Sequence, residues 1–165
     1  RHVEAYRKAS DPRGIRSFHE AAGLARWFER RREWAICGAM YERAVDLAPD
    51  ADASDALLFD HARVRRRMGD WQAAVDAWTS LSRRTGITAV RAGIELAKVA
   101  EHRDRNHEAA LARVLTMRNN LEVEDQIARM TGRRKQAIPL RFLEDLDKRE
   151  ARLRRKLSPG KGSTA

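Results

Sequence analysis

Two runs of three consecutive arginines lie in the first half of the chain, and their side chains are well suited to binding anions. A guanidinium group donates hydrogen bonds in a planar fork that matches carboxylate and phosphate. Each run ends the first helix of a predicted helical hairpin, so we expect both runs at one edge of the stacked hairpins. There they would form a basic rim that meets phosphate or an acidic protein. The residues are Arg30, Arg31, Arg32, Arg65, Arg66 and Arg67.

A second concentration of positive charge lies near the C-terminus. The chain has a formal net charge of +10, and from residue 133 onward it has 11 Lys or Arg against 4 Asp or Glu. A cationic segment raises affinity for any polyanion, and above all for nucleic acid. The alternative is a solvated helix face that only keeps the protein soluble. The residues considered as contacts are Arg133, Arg134, Lys135, Arg154, Arg155 and Lys156.

Motifs for catalysis or metal binding are absent from the sequence. It has no glycine-rich phosphate loop, no nucleophile elbow and no Cys/His pair in a nucleophile arrangement. His102 follows Glu101, but no second His or Cys lies four residues away, so we expect His102 at a helix end or in solvent. His61 is expected at a helix interface. We therefore predict no catalytic residue, cofactor or metal ligand, and no enzymatic activity in this chain.

The spacing of apolar residues repeats three times. Each copy has an aromatic residue or His, then a small residue, a bulky apolar one and another apolar one at steps of three, four and three. The copies begin 37 and then 36 residues apart, close to the period of about 34 residues of tetratricopeptide (TPR) hairpins. They are Trp34, Cys37, Tyr41, Ala44; Trp71, Ala74, Trp78, Leu81; and His107, Ala110, Val114, Met117.

This repeat predicts an all-α fold of about three TPR-like helical hairpins. A hairpin cannot bury its apolar face alone, so hairpins stack and leave a groove that binds another molecule, here a protein or peptide. Three of the four tryptophans hold repeat positions, so we expect core packing rather than stacking on nucleic-acid bases. Cys37 holds a small-residue position, where a buried thiol is expected rather than a reactive one.

Five segments are expected along the chain. Residues 1–16 are an upstream remnant or linker, and residues 17–120 are the TPR-like repeats. Residues 121–138 form a short helix and a basic loop. Residues 139–157 form a C-terminal amphipathic helix that caps the repeats, because its apolar residues fall on one side. Residues 158–165 are a tail too rich in Pro, Gly, Ser and Thr to fold.

Local signals predict particular helix boundaries. Ser54 or Asp55 can cap the first helix of the second hairpin. Gly69 is placed to take the left-handed conformation that ends a helix. Residues 118–120, Arg-Asn-Asn, are predicted to end the second helix of the third hairpin.

Composition and length favour one soluble domain. The chain has 165 residues, 42% of them hydrophobic, and a single cysteine, which excludes an internal disulfide. No apolar run approaches the roughly 18 residues of a membrane span, and the first residues lack the apolar h-region that is typical of a signal peptide. We expect a cytoplasmic protein that does not associate with membranes. Because the first residue is Arg1 rather than Met, we also expect it to be part of a longer protein.

Several phrases resemble a known family. Residues 94–103 (IELAKVAEHR) with residues 107–111 (HEAAL), residues 69–78 (GDWQAAVDAW) and residues 149–157 (REARLRRKL) are similar to the helical region that follows the ribonuclease-H-like exonuclease domain of YprB-type proteins. The resemblance covers about residues 58–157. It implies that the chain is the C-terminal helical part of a larger nuclease-like protein.

The resemblance extends weakly upstream. Tyr6, Asp11 and the segment 18–25 follow the order in which the family's nuclease domain closes, where an Asp helps to bind the catalytic metal. In this sequence Glu20 replaces the family's Asn, and Gly23 stands where that Asp is expected. The resemblance therefore implies that this metal ligand is lost, which puts nuclease activity in doubt even for a longer parent protein.

Two functions from different classes remain open. The first is a non-catalytic TPR-like scaffold for protein–protein interaction, and a plain interaction module whose arginine content carries no function is its simplest form. The second is a nucleic-acid-binding accessory region of a metal-dependent exonuclease. Binding to nucleic acid that weakens steeply with salt would separate them.

Overall fold

The computed structural model describes residues 2–132 and 138–158, and these residues divide into two compact units. The first unit is Arg1–Leu81 and the second is Ser82–Ala165. Within the described residues every regular element is helical, which confirms the prediction of an all-α fold of helical hairpins. The helices are α1 His2–Ala9, α2 Phe18–Arg30, α3 Trp34–Asp46, α4 Ala51–Arg67, α5 Trp71–Ser82, α6 Gly86–Lys98, α7 His107–Thr131 and α8 Leu140–Leu157.

Side-chain caps fix where several of these helices begin. Ser17 accepts a hydrogen bond from the Glu20 amide, and Asn106 accepts one from the Ala109 amide at 2.8 Å. The prediction that Ser54 or Asp55 caps α4 is wrong. The helix begins four residues earlier because Asp50 accepts from the amide of Ala53 at 2.7 Å, and Asp55 is buried in the second turn instead.

In the first unit, α2 packs on α3 and α3 packs on α4. Small side chains let the helix backbones approach closely. Ala25 and Cys37 are both fully buried, and the thiol of Cys37 donates a hydrogen bond to the carbonyl of Ala25 at 3.3 Å. The prediction of a buried thiol is confirmed, and burial raises the pKa of Cys37 to about 12, so the thiol stays protonated.

The repeat positions have the same burial in all three hairpins. Trp34, Trp71 and His107, which open the three copies, are each half-buried. The three residues that follow each of them in the repeat are all buried in the core. The buried residues are Cys37, Tyr41, Ala44, Ala74, Trp78, Leu81, Ala110, Val114 and Met117.

The turn inside each hairpin contains one residue in the left-handed conformation. Gly69 has φ +89°, as predicted, and it lies two residues before Trp71. Arg32 (φ +61°) and Arg105 (φ +53°) hold the corresponding positions of the other two hairpins. A residue with a Cβ enters this region only with strain, so the first and third turns keep an arginine where glycine would be relaxed.

Residues at the N-terminus belong to the first unit. Residues 1–16, predicted to be an upstream remnant or linker, contain α1 and a 3₁₀ turn at Pro12–Gly14, and both contact α3. The Tyr6 hydroxyl donates to Glu33, and the Arg43 guanidinium donates to the carbonyl of Ile15 at 2.7 Å. This segment therefore covers one side of the first hairpin.

In the second unit, α6, α7 and α8 share a core. Leu146 and Leu153 of α8 are buried against it, and Pro139 precedes the first residue of this helix. An amphipathic closing helix is present where the sequence predicts one. The predicted stretches 133–137 and 159–165 lie outside the described residues.

The predicted helix end at residues 118–120 is wrong. Helix α7 continues through these residues to a length of 25 residues, and it ends before Gly132, whose φ is +65°. Arg118 donates to Asp147 and Glu150 of α8 at 2.5 and 2.6 Å. These contacts with a distant helix stabilise a stretch that local preference alone would interrupt.

We predict opposite effects of alanine at two helical glycines. A methyl group at Gly93 would lie 2.7 Å from Cγ of Met117 and closer still to its Sδ, whereas one at Gly23 would meet nothing within 4 Å. Gly93→Ala should lower the free energy of unfolding by about 2 kcal/mol through overpacking. Gly23→Ala should raise it by about 0.5 kcal/mol through helix propensity. Denaturant unfolding measures both, and equal effects would contradict this packing.

Candidate functional site

The turn between α2 and α3 and the turn between α4 and α5 lie at the same edge of the first unit. The guanidinium carbon of Arg67, the last residue of α4, is 5.3 Å from the ring centre of Trp34, the first residue of α3. Both predicted arginine runs therefore end at this edge. We call it the turn edge and define it as Arg30, Arg31, Arg32, Arg66 and Arg67 with Trp27, Trp34 and Trp71.

Guanidinium groups lie over indole rings along the turn edge. Arg31 is 4.7 Å from the ring centre of Trp27. Arg66 is 6.0 Å from the ring centre of Trp71 and 5.7 Å from that of the buried Trp78. Arg67 lies over Trp34 in the same way. Cation–π attraction holds each arginine over its ring, so less side-chain freedom is lost when the group binds a ligand. The indoles of Trp27, Trp34 and Trp71 are half-buried, as expected for rings that pack on one side.

Carboxylates interrupt the positive charge of the turn edge. Glu33 accepts from Arg31 Nε at 2.8 Å and from the Tyr6 hydroxyl. These two donors, Tyr6 above all, hold the pKa of Glu33 below its ordinary value. The edge therefore presents both signs of charge rather than a continuous cationic track.

Arg65 belongs to a network inside the first unit, although the sequence analysis grouped it with the rim. Its guanidinium donates to Glu42 at 2.9 Å, to Asp70 at 3.1 Å and to His61 Nε2 at 3.2 Å. His61 stacks on Tyr41, and burial lowers the pKa of His61, which keeps its ring neutral and able to accept from Arg65. Arg65 thus joins α3 to α4.

In the second unit, several cations converge on one buried carboxylate. The side chain of Glu101 is fully buried, and it accepts from Arg149 at 2.9 Å, from Arg152 at 2.7 and 2.9 Å, and from Lys156 at 3.1 Å. The hydrogen bonds from Arg152, followed by that from Lys156, lower the pKa of Glu101 to about 2. We call these four residues the Glu101 cluster. It fastens α8 to the end of α6.

A π-helical turn at Val99–Arg103 carries Glu101. The Asp104 amide donates to the Val99 carbonyl at 3.1 Å, five residues back. Glu101 continues the packing face of α6 after Ile94 and Ala97, next to Ala100. Both are buried. The spacing of Ile94, Ala97 and Glu101 along the sequence indicates that Glu101 faces the core. Its partners in α8 lie about 50 residues away, so neighbouring residues could not predict them.

The remaining predicted contact residues have different surroundings. Lys156 is engaged by Glu101, and Arg154 Nε donates to Glu150 at 2.9 Å. Arg155 is exposed on α8. The residues not described here are Arg133, Arg134 and Lys135.

Comparisons with known proteins return nothing for this chain. No family model, no curated protein and no solved structure matches it. The resemblance to YprB-type proteins therefore stays a prediction. Among residues 2–132 and 138–158, no group of three His, Cys, Asp or Glu side chains could hold a metal ion. In the same part of the chain, no helix has both the length and the apolar character needed to cross a membrane.

We predict that the Glu101 cluster makes stability depend on pH. Because the pKa of Glu101 falls from 4.5 to about 2 on folding, its contribution is complete above about pH 5 and is lost as the pH falls towards 2. Glu101→Gln should lower the free energy of unfolding by about 3 kcal/mol at pH 7, since the buried Arg149 keeps only the more distant carboxylate of Asp145, 3.6 Å away. The difference from wild type should shrink in acid.

Denaturant unfolding at several pH values measures this difference. Glu144→Gln is the matched control, because Glu144 is an exposed carboxylate of α8 that pairs with Lys148 at 3.6 Å. It should change stability by less than about 0.5 kcal/mol at any pH. A Glu101→Gln effect that is as small, or that does not vary with pH, would contradict the role of the cluster.

We predict that Arg32→Gly stabilises the protein. Relief of the left-handed strain should raise the free energy of unfolding by up to about 1 kcal/mol, despite the greater freedom of glycine in the unfolded chain. Gly69→Ala at the corresponding turn position should lower it by about 1 kcal/mol. Thermal and denaturant unfolding of both variants test this pair, and a destabilising Arg32→Gly would show that the arginine itself supports the fold.

Proposed function

We propose that this chain is a non-catalytic, TPR-like scaffold for protein–protein interaction, whose turn edge binds an acidic segment of a partner protein. The observation that carries the proposal is the set of guanidinium groups held over Trp27, Trp34 and Trp71 along one edge. Arginine with an aromatic neighbour is the combination enriched at the energetic centres of protein interfaces. The resemblance to YprB-type proteins adds that the scaffold belongs to a larger nuclease-like protein.

Binding rather than catalysis is supported by where the shifted pKa values lie. The pKa shifts of Glu101, Cys37 and Tyr41 are large, and all three side chains are buried between packed helices. Each has a hydrogen-bond partner within the fold: Arg152 for Glu101, the Ala25 carbonyl for Cys37, and Glu29 for the Tyr41 hydroxyl. Groups that serve catalysis are instead expected in an accessible cleft.

The mixed charge of the turn edge favours a protein ligand over nucleic acid. A nucleic-acid backbone carries a charge at every phosphate, and Glu33 and Asp70 leave the turn edge without a continuous track of cations for it. An acidic peptide can place its carboxylates on the arginines and avoid both residues. The guanidinium groups also cover indole faces on which bases would stack.

Nucleic-acid binding by an accessory region of an exonuclease is the second candidate. It is supported by the formal net charge of +10 and by the exposed Arg154 and Arg155 at the end of α8. This candidate function uses the C-terminal part of the chain rather than the turn edge. Substitutions in these two regions therefore distinguish the two candidate functions.

A titration with two fluorescent probes tests the proposal. The probes are a short peptide rich in Glu and Asp and a single-stranded oligonucleotide of similar length. Arg67→Gln should weaken peptide binding about tenfold, a loss of about 1.4 kcal/mol. Arg32→Gly should also weaken it while stabilising the fold. Arg13→Gln is the control, because Arg13 is an exposed cation of the 3₁₀ turn at the opposite end of α2.

The proposal fails if Arg13→Gln and Arg67→Gln weaken peptide binding equally, or if the peptide does not bind. Tighter binding of the oligonucleotide, lost in Arg154→Gln with Arg155→Gln and kept in Arg67→Gln, would support the nucleic-acid candidate instead. The slope of affinity against salt then counts the phosphate contacts.

A further inference from the structure

A cleft of about 390 Å³ between α1 and α2 adjoins the turn edge. Trp27 belongs to both features, because it lines the cleft and also lies beneath the guanidinium group of Arg31. We call this feature the α1–α2 cleft and define it by its lining residues. They are His2 and Ala5 of α1 and His19, Glu20, Gly23, Leu24 and Trp27 of α2.

Gly23 leaves room in the α1–α2 cleft against the backbone of α2. It lies one helical turn before Trp27, and a methyl group added to it would meet nothing within 4 Å. Ala5 and Leu24, which are both half-buried, give the cleft small and apolar walls. A flat side chain can therefore lie on the helix backbone at Gly23 with its edge towards the Trp27 indole.

Aromatic rings gather at one end of the α1–α2 cleft. The ring centre of His2 is 5.5 Å from that of Trp27, with the two planes at 56°. The Tyr6 ring meets the same indole edge-on at 5.9 Å. Aromatic pairs prefer tilted and edge-to-face arrangements at these distances, and they add to what burial alone contributes. A further aromatic ring is therefore favoured in the cleft over an aliphatic side chain of similar size.

The charges beside the α1–α2 cleft are balanced. Glu20, which lines the cleft, is paired with Lys8. Glu4 of α1 is paired with Arg7 at 2.6 Å. A charged side chain that entered the cleft would lose water without gaining an unpaired partner of opposite sign. The cleft therefore favours an uncharged ligand group.

Positive charge lies along α2 between the α1–α2 cleft and the turn edge. Arg26 and Arg30 are exposed and one helical turn apart, and in the part of the chain that the structure describes neither forms an ion pair. Glu29 lies on another side of α2, where it accepts from the Tyr41 hydroxyl at 2.8 Å. An acidic segment that runs from the turn edge along α2 passes these two arginines before it reaches the cleft.

We propose that the acidic partner segment bound at the turn edge carries an aromatic side chain, and that this side chain inserts into the α1–α2 cleft. This ligand rests on the proposed function, because the cleft and the turn edge share Trp27. The aromatic ring lies over Gly23, and carboxylates of the segment meet Arg26 and Arg30.

Helix geometry sets the spacing within the partner segment. Gly23 and Arg30 are about 10 Å apart along the axis of α2. An extended peptide advances about 3.3 Å per residue, so about three residues span this distance. The partner segment therefore has acidic residues within about three positions of its aromatic residue.

Three acidic peptides that differ at one position test the proposal. The central residue is Phe, Leu or Ala, and Glu lies three positions away on both sides, so that either direction of the segment is allowed. Fluorescence anisotropy measures their affinity for the whole chain. The Phe peptide should bind about tenfold more tightly than the Ala peptide, because an aromatic side chain in a pocket is a typical anchor of an interface. The Leu peptide should bind more weakly than the Phe peptide.

Two leucine substitutions locate the aromatic side chain. Gly23→Leu fills the α1–α2 cleft, so it should remove most of the advantage of the Phe peptide and change the affinity of the Ala peptide less than about twofold. Ala51→Leu is the control, because Ala51 is exposed on the first turn of α4 and does not line the cleft. Circular dichroism should show that neither substitution lowers the unfolding midpoint.

Arg67→Gln separates this proposal from the proposed function, because it should weaken the Phe and Ala peptides by the same factor. If both peptides depend on Arg67 but bind equally, the aromatic anchor is overturned and the acidic ligand of the turn edge stands. If no peptide binds, both are overturned.

Three other results would also overturn the proposal. They are equal affinity of the Phe and Leu peptides, equal effects of the two leucine substitutions, and a dimer in sedimentation that only Gly23→Leu dissociates. The last result would assign the α1–α2 cleft to a second copy of the chain. Loss of the Phe advantage in Gly23→Leu alone would support the aromatic anchor.

Discussion

Close approach of the two helices in each hairpin is the constraint on which the rest of this structure depends. In the first unit Ala25 and Cys37 are fully buried, and the hydrogen bond between the thiol and the Ala25 carbonyl needs the backbones to be near. In the second unit Gly93 leaves the space that Met117 fills. Close helices require short turns, and a short turn between antiparallel helices needs one residue in the left-handed region.

That requirement determines what lies at the turn edge. Because the turns are short, Arg66 lies over Trp71 of the following helix, while Arg67 lies over Trp34 of the preceding helix and Arg31 over Trp27 of its own helix. The left-handed position itself is taken by Arg32 in the first hairpin and by Gly69 in the second. Retaining an arginine in a strained position costs stability, and such a cost is commonly found where a protein binds or acts. The proposed function therefore follows from the same geometry that closes the hairpins.

Features carried by local sequence were predictable, and features that depend on distant partners were not. The repeat spacing placed the hairpins and their buried positions because every copy uses the same steps of three, four and three. The end of α7 was misplaced because Arg118 is held by Asp147 and Glu150 of another helix. The role of Glu101 was missed for the same reason. The left-handed Arg32 could have been found, since it lies at the same offset from Trp34 as Gly69 does from Trp71.

Indole N–H signals give the most direct test that the turn edge binds an acidic protein segment. The chain has four tryptophans, of which Trp27, Trp34 and Trp71 lie half-buried at the edge and Trp78 is fully buried. In a ¹⁵N–¹H NMR titration with the acidic peptide, the account predicts that the signals of Trp27, Trp34 and Trp71 move with one saturation curve. Saturation without movement of the three edge signals would contradict it.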